Sequence, residues 1–305
     1  MNLLHFIADR ELLVVGHSLF PDGDIAFRSA VTLAQRANAD LYLLHVVEPY
    51  PLYQKMRFPS VPAHTLLEEV VLKMRAQLND LAMQPELSRL HVDTDAHIGK
   101  PFVELIRTTR NWNANLVVVG VSPRGEGRFL GSTGERVLRK SPVPVLIAKR
   151  ALTPDPKTVL VPIDFSDCSK KAAEEALALV RGFGGRTVFL HVLDLAEYIY
   201  PAAYGAAPIV LPPLAPDDLE PDWQHFLKDL PLEGIAWEKQ TVEGRAASRI
   251  VETAKACDAD LVVMGTHGRT GVAHILLGSV AEAVLRLTEC SVLTVRPDAF
   301  RFELP

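Results

Sequence analysis

The stretch Asp260–Ser279, DLVVMGTHGRTGVAHILLGS, runs from a short apolar segment through a glycine-punctuated loop to Ser279, which with Glu282 makes an S-x-x-E sequence. Leu261–Gly265 reads as a strand buried on both faces, because its apolar run is continuous rather than alternating. Gly265 and Gly268 stand at the corners of the loop and Gly278 at its end. Residues without a Cβ there let main chain approach a ligand and turn amide N–H groups towards it. Ser279 and Glu282 read as a capping box that fixes the start of a helix. The N–H groups and positive dipole end of that helix would face an anion, the dipole adding about 0.3 to 1 kcal/mol per charge. Strand, glycine loop and helix in this order point to a parallel α/β sheet with its ligand at the carboxyl ends of the strands.

Working outward, the same blocks return half a chain earlier. DLVVMG (Asp260–Gly265) matches NLVVVG (Asn115–Gly120), and VFLHVL (Val188–Leu193) matches LYLLHVV (Leu41–Val47) with His191 on His45. Gly278–Leu285 likewise matches Gly131–Leu138. Three blocks in the same order at nearly constant offset mean a duplicated domain. The boundary falls in ALTPDPK (Ala151–Lys157), where two prolines oppose regular structure, so the expected domains are 1–150 and 151–305. In the second half, strands are expected at Thr158–Ile163, Thr187–Leu193, Ile235–Val242, Leu261–Gly265 and Ser291–Val295. Helices are expected after Asp167 and Ser169 (stopped by Gly182 and Gly184), at Asp217–Leu230, at Ala246–Ala256 and from Ser279. Five strands with crossover helices give a doubly wound open sheet in each half.

The whole chain sets the outer limits. At 305 residues it suits two cores, and 48% hydrophobic with 23% charged residues is the balance of a folded globular protein. A net charge of −5 without a basic run argues against nucleic acid as partner. Met1–Gly16 lacks the basic, apolar and small-residue regions of a signal peptide, and no apolar run approaches the ~20 residues that cross a bilayer, so no membrane role and a cytoplasmic location are expected. Cys168, Cys257 and Cys290 are widely spaced and read as core residues, not disulfides or zinc ligands. His267 and His274 are too far apart for a helical metal pair, and His45 and His191 on apolar strands read as core histidines.

Gly265, Gly268, Gly278 and Ser279 fit G-x2-G-x9-G-S/T, and in this the chain resembles the universal stress protein family over nearly its whole length, twice. The resemblance implies two Rossmann-like (adenine nucleotide α-hydrolase-like) domains, each a five-stranded parallel sheet flanked by helices. It also implies an adenine nucleotide, ATP or AMP, in the second domain, with Mg2+ accompanying a triphosphate. It places Asp164, in Val161-Pro162-Ile163-Asp164-Phe165-Ser166, against the nucleoside, Val192 on the adenine, and Pro162 and Met264 among the binding residues. Gly265, Gly268, Gly278, Ser279 and Val280 would hold phosphates through backbone N–H groups, and Arg269 would reach a terminal phosphate. Read without the resemblance, Asp164 before Ser166 is a helix cap or turn residue.

The first half departs from the pattern. His17 is read at the place of Asp164, Pro123 replaces Gly268, and the stretch from Gly120 to Gly131 is two residues shorter than its counterpart. Its site is therefore expected to be degenerate, although Arg124, Gly125, Gly127 and Arg128 offer an anion some donors. The resemblance implies a nucleotide-binding stress sensor or regulator acting on a protein partner not named by the sequence, and slow ATP hydrolysis at most, since no general base, arginine finger or Walker-type lysine stands out. The alternatives are an enzyme of the wider nucleotide-hydrolase-like group and a nucleotide-free interaction protein using Pro201–Pro216. The last strands, Val145–Ala148 and Leu293–Val295, are expected to pair as an internal pseudo-dimer, with a homodimer of the whole chain left open.

Overall fold

A computed structural model describes residues 11–18, 23–49, 63–121, 131–194, 199–200, 209–210, 216–268 and 277–296. Arg269, His274, Pro123 to Arg128 and most of Pro201–Pro216 lie outside them. The strands are β1 (Leu12–Gly16), β2 (Asp40–Val47), β3 (Val92–Ile98), β4 (Leu116–Gly120), β5 (Val145–Ala148), β6 (Thr158–Ile163), β7 (Arg186–Leu193), β8 (Ile199–Tyr200), β9 (Ile209–Val210), β10 (Ala236–Glu243), β11 (Leu261–Gly265) and β12 (Ser291–Val295). The helices are α1 (Gly23–Ala37), α2 (Ala63–Ala82), α3 (Pro101–Asn111), α4 (Gly131–Lys140), α5 (Asp167–Phe183), α6 (Glu220–Leu227), α7 (Ala246–Ala256) and α8 (Ser279–Leu287). The described residues fall into two compact units: those up to Pro154 with Ser291–Thr294, and Asp155–Cys290 with Val295 and Arg296.

In the first unit the parallel strands run in the order β5-β4-β1-β2-β3. Leu13, Val14 and Val15 of β1 are each at 0% exposure, as a central strand covered by helices on both faces requires. The expected pairing of the two last strands is present: Leu146 sits opposite Leu293 and Val145 opposite Thr294, antiparallel. The Thr294 hydroxyl donates to the Val145 carbonyl at 3.2 Å, and Ser291 Oγ donates to the Arg150 carbonyl at 2.8 Å, so side chains reinforce this edge.

The second unit repeats the plan as β10-β7-β6-β11, all parallel. All six residues of β6 are buried. Helix α5 covers β6 with Ala172, Ala173, Ala176 and Leu177, all fully buried; interring one Leu or Val face residue is worth about 1.5–3 kcal/mol. Ser166 caps α5, its hydroxyl accepting from Ser169 N at 3.3 Å, and the helix stops at Gly184, whose φ of 83° suits a residue without Cβ. Gly182 lies in the last turn rather than beyond it. The helix expected over Asp217–Leu230 is split into a 3-10 turn, Pro216–Leu219, and α6. The small antiparallel pair β8–β9 stands apart from the main sheet. The winding reverses between β6 and β11, and the carboxyl ends of those strands carry the glycine loop and Asp164.

Candidate functional site

Everything at the carboxyl end of the second unit's sheet turns on the two residues after β6. Asp164 Oδ1 accepts from Ser166 N at 3.1 Å and from Ser166 Oγ at 2.5 Å, closing an Asx turn directly before α5. The turn-residue reading of Asp164 is thus correct for one carboxylate oxygen. The other, Oδ2, lies against the glycine loop, where a Cβ on Gly268 would come within 2.7 Å of it. No side chain fits at 268 while Asp164 keeps this position.

The three motif glycines do different work. A Cβ on Gly265 would meet Cys168 Sγ at 2.8 Å, so its bareness admits the first turn of α5. A Cβ on Gly278 would approach the Thr266 carbonyl to 3.1 Å, and Gly278 N–H already donates to that carbonyl at 2.7 Å. The expectation that Gly278 offers its N–H to a phosphate is corrected: it closes the loop on itself and leaves the approach open. Thr266 N in turn donates to the Val295 carbonyl at 2.9 Å, which ties the loop to the last strand.

The capping box is corrected too. Gly278, with φ −68° and ψ 147°, is the N-cap of α8; Ser279 is the first helical residue, and the cap makes no side-chain hydrogen bond. Glu282 N donates to the Gly278 carbonyl at 2.9 Å, which begins the helical ladder. The N–H groups of Ser279, Val280 and Ala281 precede that ladder and have no intrahelical acceptor. This is the arrangement that recruits an anion, with the dipole behind it.

Pro162, Asp164, Val192, Met264, Gly265, Gly268, Gly278, Ser279 and Val280 all line one cleft of about 320 Å³, near the lower end of small-ligand sites. The tenth expected residue, Arg269, lies outside the described residues. The sequence reading missed Asp194, just past β7, and Ala246 and Ile250 on α7, which also face the cleft. Their signal was present: Ala246 and Ile250 are four apart on a helix that starts at the carboxyl end of β10. His191, buried at 8% exposure, donates Nδ1–H to the Ile163 carbonyl at 3.0 Å, the satisfied core role expected of it. Burial pushes the Cys168 thiol above its ordinary pKa, so beneath the loop it stays protonated and acts as packing. Among the described residues, no group of three or more His, Cys, Asp or Glu could hold a metal ion.

The first unit follows the same strand register to a different end. Leu12 pairs with Asp40 and Thr158 with Arg186, in both cases 28 residues ahead. His45 Nδ1 bonds the His17 carbonyl at 2.8 Å, where His191 bonds that of Ile163, again 28 residues apart. His17 is therefore the counterpart of Ile163, and Ser18, one residue on, stands where the second unit has Asp164. This moves the expected His17 equivalence by one position. His17 is buried with its ring edge-on to Phe27 at 5.9 Å, and burial, with His45 nearby, lowers its pKa to about 4. It is a neutral core imidazole at neutral pH.

With the duplicated sheet and the glycine cradle in view, comparison with known proteins decides the relationship. The pattern of the universal stress protein family matches residues 11–149 and again 156–296. This chain belongs to the universal stress protein family. A universal stress protein of Methanocaldococcus jannaschii is 34% identical over 144 residues, covering 46% of this chain and 82% of that protein. One from Mycolicibacterium smegmatis is 27% identical over 308 residues, covering 93% of this chain and 97% of its own. In fold, the crystal structure of a putative universal stress protein from Pseudomonas aeruginosa matches 96% of this chain with a TM-score of 0.70 at 21% identity, covering 95% of its own length. The tandem arrangement is thus shared along the full length with other members. Among the described residues no helix is long and apolar enough to cross a membrane.

Proposed function

We propose that the second unit binds an adenine nucleotide, ATP or AMP, and that the protein acts as a stress-response sensor or regulator rather than as a catalyst. The observation that carries this reading is the convergence on one cleft of Asp164, the bare glycine loop and the first turn of α8, whose leading N–H groups have no intrahelical acceptor. A carboxylate suits ribose hydroxyls or an exocyclic amine, and the first-turn N–H groups suit a phosphate. Apolar Val192, Met264 and Ile250 supply a bed for the base. Mg2+, where a triphosphate brings it, would be held chiefly by the phosphates, with Asp164 and Asp194 as the nearest lining carboxylates. The output would be a change of conformation or partner.

Thermal unfolding with added ligand tests the reading. A ligand that binds only the folded state, at 100 times its Kd, adds about 2.7 kcal/mol, which for a unit of this size is a rise of several degrees. ATP or AMP should produce it and GTP should not. Protein stripped of carried-over ligand that is unmoved by any adenine nucleotide would turn the assignment towards a nucleotide-free interaction protein.

A further inference from the structure

Four non-glycine residues among those described have positive φ: Asn38, Asn113, Asp258 and Phe165. The first three are Asn or Asp, whose short polar side chains tolerate the left-handed region. Phe165, at φ 62°, is the bulky exception and needs something to hold it there. Its ring lies 4.5 Å from that of His191, tilted by 35°, and is met edge-on by Trp223 at 5.4 Å and Phe226 at 5.8 Å. Trp223 and Phe226 are buried residues of α6, and Trp223 Nε1–H is anchored on Thr241 Oγ1 of β10 at 3.1 Å. The socket for Phe165 is thus built from two elements, β7 and α6, with α6 anchored on β10 through Trp223.

Phe165 stands between the two residues whose hydrogen bonds make the Asx turn, Asp164 and Ser166. Rotation of its backbone into an ordinary region would re-aim the Asp164 carboxylate away from Gly268. One wall of the socket, His191, also lines the cleft, and its neighbour Val192 does so too. Phe165, Trp223 and Phe226 are not among the cleft's lining residues. Whatever they do for a ligand they do through others.

We infer that Phe165 is a positioning residue: the aromatic socket of His191, Trp223 and Phe226 locks its left-handed backbone, which fixes Asp164 in the cleft and couples ligand occupancy to the packing of α6. The inference rests on the nucleotide reading above, since Asp164 matters here as a ligand contact. By linkage, anything that loosens α6 must weaken binding, and binding must tighten α6.

The test uses the full chain with AMP as probe, titrated calorimetrically, together with hydrogen exchange at the amides of Glu220–Leu227. Phe165→Gly removes both the ring and the backbone strain, so the fold is retained while AMP binding falls about tenfold, a loss of about 1.4 kcal/mol. Trp223→Ala, whose side chain does not line the cleft, weakens binding in the same direction, and Phe165→Tyr restores it to within about twofold. AMP slows exchange in α6 of the wild type and has no such effect in Phe165→Gly. If Phe165→Gly does not fold, the wild-type exchange experiment decides, and α6 amides indifferent to AMP overturn the coupling. Undiminished AMP binding in Phe165→Gly overturns the inference alone. A wild-type chain that binds neither AMP nor ATP overturns the nucleotide reading and this inference with it.

Discussion

The turn after β1 and the turn after β6 begin from one strand pairing and end in different chemistry. In both, a strand pairs with the chain 28 residues on, and a histidine of the neighbouring strand bonds the carbonyl at the strand's end. The residue bearing that carbonyl is His17 in one unit and Ile163 in the other, and the next is Ser18 or Asp164. A duplicated scaffold carries the same backbone bonds in both sheets, while the residue after the strand bears a hydroxyl in one copy and a carboxylate in the other. Fold and site are separable here because the sheet is maintained by main-chain pairing and burial, neither of which depends on the residue after the strand.

The largest effects expected from this contrast are on binding. Gly268→Val drives a side chain onto Asp164 Oδ2, and Asp164→Ala removes the carboxylate; either should weaken ATP or AMP by about a hundredfold or more in a calorimetric titration. Ser18→Ala in the first unit should leave binding unchanged. Equal losses in both units would mean that the two turns serve one ligand alike.

Next in size is an acid effect carried by His17 of the first unit. The pKa of His17 is about 4 in the folded protein and about 6.5 when unfolded, so below pH 6.5 the unfolded chain takes up a proton that the folded chain refuses. Stability from this group is complete above about 6.5 and is lost as pH falls to about 4, by about 3 kcal/mol in all. Urea midpoints measured across that window should fall less steeply in His17→Ile, which installs the second unit's own residue. An unchanged slope would show that the imidazole is not the acid-sensitive group.

The smallest effect concerns the cap that Ser166 makes at the start of α5. Ser166→Ala removes the hydroxyl that both caps α5 and donates to Asp164. It should cost about 1 kcal/mol in denaturant unfolding and weaken nucleotide binding modestly. A variant as stable as the wild type would put the start of α5 under the control of tertiary packing alone.

Much of this was legible in the sequence, for identifiable reasons. Thr158–Ile163, Ala246–Ala256, Leu261–Gly265 and Ser291–Val295 are the elements found, because continuous apolar runs and 3.6-residue periodicity reflect burial directly. The glycine spacing pointed to residues that do gather around one cleft. What could not be read was how each group is used. Ser279 and Glu282 have the composition of a capping box, yet backbone angles make Gly278 the cap. Gly278 N–H looked available until the loop folded back to give it the Thr266 carbonyl. The place of Ser18 was legible, since setting His191 on His45, 146 residues apart, puts Ser18 opposite Asp164, and the His17 equivalence came from a neighbouring block with a different offset. Phe165 carries no sequence signal of its left-handed backbone, because its reason lies in α6, more than fifty residues away.

If the cleft of the second unit is the nucleotide site, one chain holds one nucleotide. Binding stoichiometry measured by equilibrium dialysis with labelled AMP and with labelled ATP, on protein freed of bound ligand, tests it most directly. The structure predicts one nucleotide per chain, abolished by Asp164→Ala. Two per chain, or one that survives Asp164→Ala, would contradict it.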